Sequence, residues 1–186
     1  LLALRNVNIQ EGLHVLLQFN SVDINGVENL FSLRGDVTVD GSLENFNGPD
    51  GNSLMINFDQ DSSAISGIGS LDLPKARIDA TGLEFSLNLA SIDSLFLLPN
   101  SSALFNGEEL TTNYINNEGT LDVDGNNRDL GDIVNSGQIT ISGDDYNYTD
   151  IMNSGTLSIA GENHSISMFI NDENSKTFIV DSLINL

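Results

Sequence analysis

Three stretches of this chain superimpose without a gap at a step of 18 residues: Ile115-Asn-Asn-Glu-Gly-Thr-Leu-Asp-Val-Asp-Gly125, Ile133-Val-Asn-Ser-Gly-Gln-Ile-Thr-Ile-Ser-Gly143 and Ile151-Met-Asn-Ser-Gly-Thr-Leu-Ser-Ile-Ala-Gly161. One step earlier Leu97, Ala103, Phe105 and Gly107 fall in the same columns. One step later Phe169 and Asn171 do, after which Phe178 and Val180 arrive three residues late. A period of this length is too short for helical-hairpin repeats or propeller blades and lies in the range of β-solenoid coils.

The columns make physical sense in such a coil. Leu121/Val123, Ile139/Ile141 and Leu157/Ile159 alternate with Thr120/Asp122/Asp124, Gln138/Thr140/Ser142 and Thr156/Ser158/Ala160. Alternation of period two sends the first set to one face of a strand and the second to the other. Stacking such turns at the ~4.8 Å strand spacing buries the apolar set as a continuous core. Gly119, Gly137, Gly155 and the later Gly125, Gly143, Gly161 column mark places where the coil bends or takes positive φ. Asn117, Asn135, Asn153 and Asn171 form a further column, expected to sit at a left-handed corner and to donate amides from one turn to the next.

The N-terminal half uses the same vocabulary without that spacing. Gly35-Asp-Val-Thr-Val-Asp-Gly41 and Gly69-Ser-Leu-Asp-Leu73 echo the pattern, and Leu83-Glu-Phe-Ser-Leu-Asn-Leu89 alternates strictly. Residues 42–67 are rich in Asn, Gly, Asp and Ser and are expected to carry extended loops. Residues 88–98, with poor strand alternation, are the one candidate for a helix. The expected architecture is all-β: a single parallel β-helix over 1–186. Its turns are irregular and looped over 1–93 and take 18 residues over 94–186.

Composition narrows the function. Six basic residues against 27 acidic ones leave a net charge of −21, and no stretch clusters the Lys and Arg that hold phosphate backbones. Nucleic acid is thus excluded as a partner, anionic membranes are disfavoured, and no apolar run reaches the ~18 residues of a membrane helix. The absence of Cys removes disulfides and thiol chemistry. Leu at position 1 reads as a removed signal or a piece of a longer chain.

The segment Ser94-Leu-Phe-Leu-Leu-Pro-Asn-Ser-Ser-Ala-Leu-Phe-Asn-Gly107, followed by Tyr114-Ile-Asn-Asn-Glu-Gly-Thr-Leu-Asp-Val-Asp-Gly125, resembles the repeats of large bacterial surface proteins of the autotransporter and haemagglutinin type. The resemblance covers roughly residues 94–182. It implies an extracellular, cell-surface, elongated β-solenoid that acts in attachment or as a structural part of a coat or filament, without enzymatic activity. The apolar strand-like ends, Leu1-Leu-Ala-Leu and residues 178–186, are expected to meet more chain or a neighbouring subunit, which makes self-association through the ends the expected partnership. The alternative is a carbohydrate-binding or carbohydrate-cleaving β-helix of the tailspike or lyase type, although aromatic platforms for sugars are scarce, with no Trp and only 3 Tyr.

Site chemistry is thin. Asp122, Asp124 and Asn126 place oxygen ligands at positions one, three and five of a loop, as a calcium site would, but Arg128 sits badly inside a cation cage. Asp59-Gln-Asp61 is a weaker variant of the same idea, and at this charge divalent ions are also expected as diffuse counterions. Asp144-Asp145 and Glu108-Glu109 are the adjacent acidic pairs that glycoside hydrolysis would call on. His14 and His164 are too far apart in sequence to share a metal. The sequons at Asn100, Asn147 and Asn163 and the outward row Thr120/Gln138/Thr156 carry little beyond composition.

Overall fold

A computed structural model describes residues 2–17, 30–45, 55–180 and 184–185. Among these the chain is all-β with no helix: a parallel β-solenoid of about 6 turns, averaging about 20 residues each, between residues 55 and 179. Each turn passes through three columns of strands, A, B and C, and every inter-strand register is parallel. β1 (Leu2–Ile9) supplies A and B of the first turn and β2 (His14–Leu17) supplies C; β3 (Leu30–Val39) and β4 (Ser42–Asn45) stack on them. β5 (Met55–Phe58) opens the regular coil in column A, and the long β6 (Ala64–Ile78) and β7 (Leu83–Leu97) each run through B and C into the next A. β8 (Ser102–Phe105), β9 (Glu109–Asn117), β10 (Thr120–Asp124), β11 (Asp132–Asn135) and β12 (Gln138–Ser142) continue the climb. β13 (Asn147–Asn153), β14 (Thr156–Ala160), β15 (His164–Asn171), β16 (Lys176–Val180) and β17 (Ile184–Asn185) complete it.

The expected core columns form as read. Leu121 pairs with Ile139 and Ile139 with Leu157, while Val123, Ile141 and Ile159 stack beside them. All six are buried. Fully burying a side chain of this size stabilises by about 1.5–3 kcal/mol, so each rung adds several such increments against the entropy of ordering it.

The period itself changes along the axis. Thr120, Leu121 and Asp122 lie 18 residues after their partners Ser102, Ala103 and Leu104, but Ala103 lies 20 after Leu83 and Ile56 lies 20 before Ala76. The earliest turns are longer, with Ser42 stacked 28 residues below Ser70. A longer rung encloses more space, and larger side chains fill it: Phe58, Phe85 and Phe105 pack in the wide turns, Phe85 and Phe105 stacked at 4.2 Å, where Val123 and Ile141 suffice above.

Several expectations are corrected by this change of pitch. Residues 88–98 are not helical; all but Leu98 belong to β7, whose irregular alternation reflects corners between columns C and A. Leu95, not Leu97, lies beneath Ile115, and Leu97 lies beneath Asn117. The last turn is two residues longer rather than three, so Thr177 and Ile179 are the inward pair and Phe178, paired with Ser158, faces out. The 18-residue step over 94–186 therefore holds only between about residues 102 and 171. Of the loop region expected at 42–67, residues 46–54 lie outside the described residues, and the rest is largely strand. The expected apolar ends fall partly there too: Leu1, residues 181–183 and Leu186 are outside the described residues.

Candidate functional site

Among the described residues, two interior columns that depart from plain hydrocarbon stand out. The first is the Asn ladder in column A. Asn117 Nδ2 donates to Asn135 Oδ1 at 2.8 Å, Asn135 to Asn153 at 2.8 Å and Asn153 to Asn171 at 2.9 Å. Each amide also reaches across the corner, Asn117 to the Gln138 carbonyl and Asn135 to that of Thr156. The amide chain is as expected, but its backbone is not: these residues have no left-handed φ and close extended strands instead. Left-handed backbone falls on another column, Asn127, Asp145 and Asn163. The ladder begins abruptly. Asn117 Oδ1 is buried without a partner, because Leu97 occupies the position below it.

The second column lies in C, where Leu110, Arg128, Tyr146 and His164 are successive in register. The backbone around Arg128 makes only an isolated bridge at Asp129, where the Arg128 and Asp129 carbonyls accept the Asn147 and Thr112 amides. Arg128, 1% exposed, turns inward, and one guanidinium nitrogen donates to the carbonyls of Gly107, at 2.6 Å, and Asp124; its Nε has no partner. Tyr146 stacks above, its hydroxyl donating to the Ser142 carbonyl and its acidity suppressed by burial to a pKa of about 12. His164 stacks on Tyr146 at 5.5 Å, its Nδ1 lying 3.3 Å from the Tyr148 hydroxyl and its Nε2 buried and unpartnered. Burial lowers the His164 pKa and raises that of Tyr148.

The residues named for calcium are placed apart in role. Asp122 points outward from β10 between Leu104 and Thr140. Asp124 accepts from the Ser142 hydroxyl at 3.0 Å, and Asn126 Oδ1 accepts from the Asp144 amide at 2.7 Å. Asp144 repeats that contact on the Glu162 amide at 2.8 Å. These side chains tie each turn to the one above. Among the described residues no group of three or more His, Asp or Glu converges on one metal position.

The other acidic candidates also have local partners. Asp59 accepts from two Arg34 guanidinium nitrogens, Nε and Nη2, at 2.7 and 2.6 Å, and that pairing, before any other influence, lowers its pKa. Asp61 is lowered by the Thr81 amide it accepts at 2.7 Å. His14 stands in column C of the first turn, 2.6 Å from the Ser42 hydroxyl, and His164 in the sixth strand rung above it, so the two do not meet.

Among the described residues, two grooves on the outside are notable. One, about 540 Å³, crosses column C and is lined by Thr111, Asn127, Asp129, Asp145, Asn147 and Asn163 together with Arg128. Its walls carry amides and two carboxylates and no aromatic ring. The other, about 490 Å³, crosses column A over Val134, Met152 and Ile170. Neither the buried C column nor the apolar outer stripe was read from sequence. The signal for the first was present, since Arg128, Tyr146 and His164 stand 18 apart, but they share no chemistry that a repeat search rewards.

The chain matches no family model, and neither a curated protein nor a solved structure matches it.

Proposed function

We propose that this chain is a non-enzymatic, extracellular structural or adhesive β-solenoid that forms part of a cell-surface or filament assembly and associates through the ends of its coil. The observation that carries the reading is the state of the core at the last described rung of column B. Ile179 stacks on the buried Ile159 and belongs to the same inward column, yet is 41% exposed. In this reading the column, open among the described residues, takes one more rung from a neighbouring subunit. The flanks support a mechanical role, since the outer side chains of Asp124, Asn126 and Asp144 make turn-to-turn hydrogen bonds. Calcium in this reading acts as a counterion to the acidic flanks.

Small-angle scattering and electron microscopy over a rising concentration series test the proposal. We expect particles that lengthen along one axis, and we expect Ile179→Lys to keep the monomer fold while suppressing the lengthening. A monomer of constant length at all concentrations, or one that binds glycans specifically, would overturn it. A parallel series with calcium and with a chelator separates the counterion role, which predicts a change no larger than an equal ionic strength of sodium produces.

A further inference from the structure

The outer face of column A carries a stripe that the stacking does not need. Asn116, Val134, Met152 and Ile170 follow one another in register on the outward side of β9, β11, β13 and β15. From Val134 onward the stripe is apolar. Met152 decides its meaning: it has a strand rung on both sides, Val134 below and Ile170 above, and is still 46% exposed. Its exposure is therefore not a consequence of the coil's end. Together with Ile170, also half-exposed, it floors the groove of about 490 Å³.

Acid flanks this floor on both sides. Asp132 and Asp150 stand two residues before Val134 and Met152, which on an extended strand is the same face about 7 Å away. Asp172 and Glu173 rim the opposite side. We infer that this groove docks a segment of a partner protein shaped as a cationic amphipathic helix, with an apolar stripe between rows of Lys or Arg. The lengths agree. Three rungs at the ~4.8 Å strand spacing span about 10 Å, close to two helical turns of 5.4 Å, so residues at i, i+3 or i+4 and i+7 meet Val134, Met152 and Ile170 in turn. The charge agrees as well, because Lys and Arg flanking that stripe face the aspartates, whereas a second copy of this chain brings its own −21 against them. Methionine suits the floor of such a groove, since its unbranched thioether adapts to differing partners.

The inference does not depend on association through the coil's ends, and its test reads a different surface. The probe is a synthetic 18-residue peptide of Leu and Lys arranged as an amphipathic helix, compared with a scrambled isomer of identical composition, by fluorescence anisotropy on the full chain. We expect the amphipathic isomer to bind at least about tenfold tighter, the scale of one good apolar anchor, and we expect Met152→Asp to erase that preference. Met152→Ser serves if the charged variant fails to fold, as judged by its circular dichroism, and Ser158→Asp on the outer face of column B is expected to leave binding unchanged. Equal affinity for the two isomers would show attraction by charge alone and overturn the inference. So would a preference untouched by either Met152 variant, by adsorption to neutral phosphatidylcholine vesicles instead of the peptide, or by dimerisation that Met152→Asp abolishes.

Discussion

A buried amide has two hydrogens and two lone-pair directions to satisfy, and the Asn ladder meets most of this demand by repetition rather than by local design. Asn135 gives hydrogen bonds to Asn153 and to the Thr156 carbonyl and receives one from Asn117. Asn135→Asp keeps the shape but turns the donor into a carboxylate facing two acceptors. We expect a loss of about 3 kcal/mol or more, measured as a lower urea midpoint at unchanged slope. Asn117→Leu should cost clearly less than Asn135→Leu. It breaks one ladder link instead of two, removes the unpartnered Asn117 Oδ1 and continues the apolar column begun by Leu97. His164 adds a pH dependence of known sign. Burial lowers its pKa in the folded chain, with the aspartates Asp144 and Asp145 opposing and Tyr146 and Tyr148 packed beside it. The unfolded chain binds a proton first as the pH falls, so this contribution is complete above the ordinary histidine pKa of 6.5 and declines as pH drops below it. Carboxylates lowered by partners, Asp59 and Asp61, lose their contribution only further down, below 3.8. Urea titrations at pH 7.5 and 5 should therefore show a smaller acid loss in His164→Leu than in the parent; equal losses would remove His164 from the account.

At the scale of a rung, stacking is unforgiving about small displacements. Gly119, Gly137 and Gly155 have no left-handed φ; they are glycine because a Cβ on Gly137 would overlap the Gly119 carbonyl, and one on Gly155 the Gly137 carbonyl. Gly143 and Gly161 combine the same crowding with φ of 124° and 126°, while a Cβ on Gly125, at φ 129°, would meet the Arg128 guanidinium instead. At Gly137 and Gly143 the crowding carbonyls are backbone, so neither neighbour can yield, and Gly137→Ala and Gly143→Ala are each expected to cost more than about 2 kcal/mol, seen as a fall in Tm. The same stringency explains what could be read in advance. Columns of Ile, Leu, Asn and Gly at one fixed step were visible because identical stacking rewards identical residues. A two-residue change in turn length hides everything beyond it: Leu97 moves from the Ile column to the Asn column, Phe178 moves from the core to the surface, and β7 looks like a broken helix. The Arg128–Tyr146–His164 column escaped for a different reason, since its members are held by hydrogen bonds given to carbonyls and by ring contact rather than by resembling one another. Asp122, Asp124 and Asn126 looked like a cation loop because an outward strand aspartate, Asp122, and two oxygens that tie one turn to the next, on Asp124 and Asn126, have the same spacing along the chain as ligands would.

For the whole molecule, stability in a stack is close to a sum of rungs and the interfaces between them, and that sum can be edited. Duplicating residues 133–150 inserts one turn in register: Ile133, Asn135, Ile139, Ile141, Tyr146 and Tyr148 all land above copies of themselves. The Asn ladder gains a link and the C column a second Tyr layer, while each end of the coil is unchanged. Because the new interface repeats an existing one, its contribution should match that of the turn it copies. We expect a cooperative unfolding transition with Tm equal to or above that of the parent and a proportionate rise in the β signal by circular dichroism. Duplicating the same segment with Thr149 omitted supplies 17 residues in place of 18, and a one-residue slip sends each inward side chain outward. That variant should unfold at markedly lower temperature or fail to fold, and equal stability of the two would mean that the columns do not hold the molecule together. The net charge of −21 sets the counterweight, since every added turn brings more acid. With a Debye length near 10 Å at ~0.1 M salt, shrinking to about 3 Å at ~1 M, repulsion between flanks a few rungs apart is relieved at high ionic strength. Tm should accordingly rise with sodium chloride in the parent, and rise more steeply in the 18-residue duplication, whose additional turn carries Asp144, Asp145 and Asp150 again.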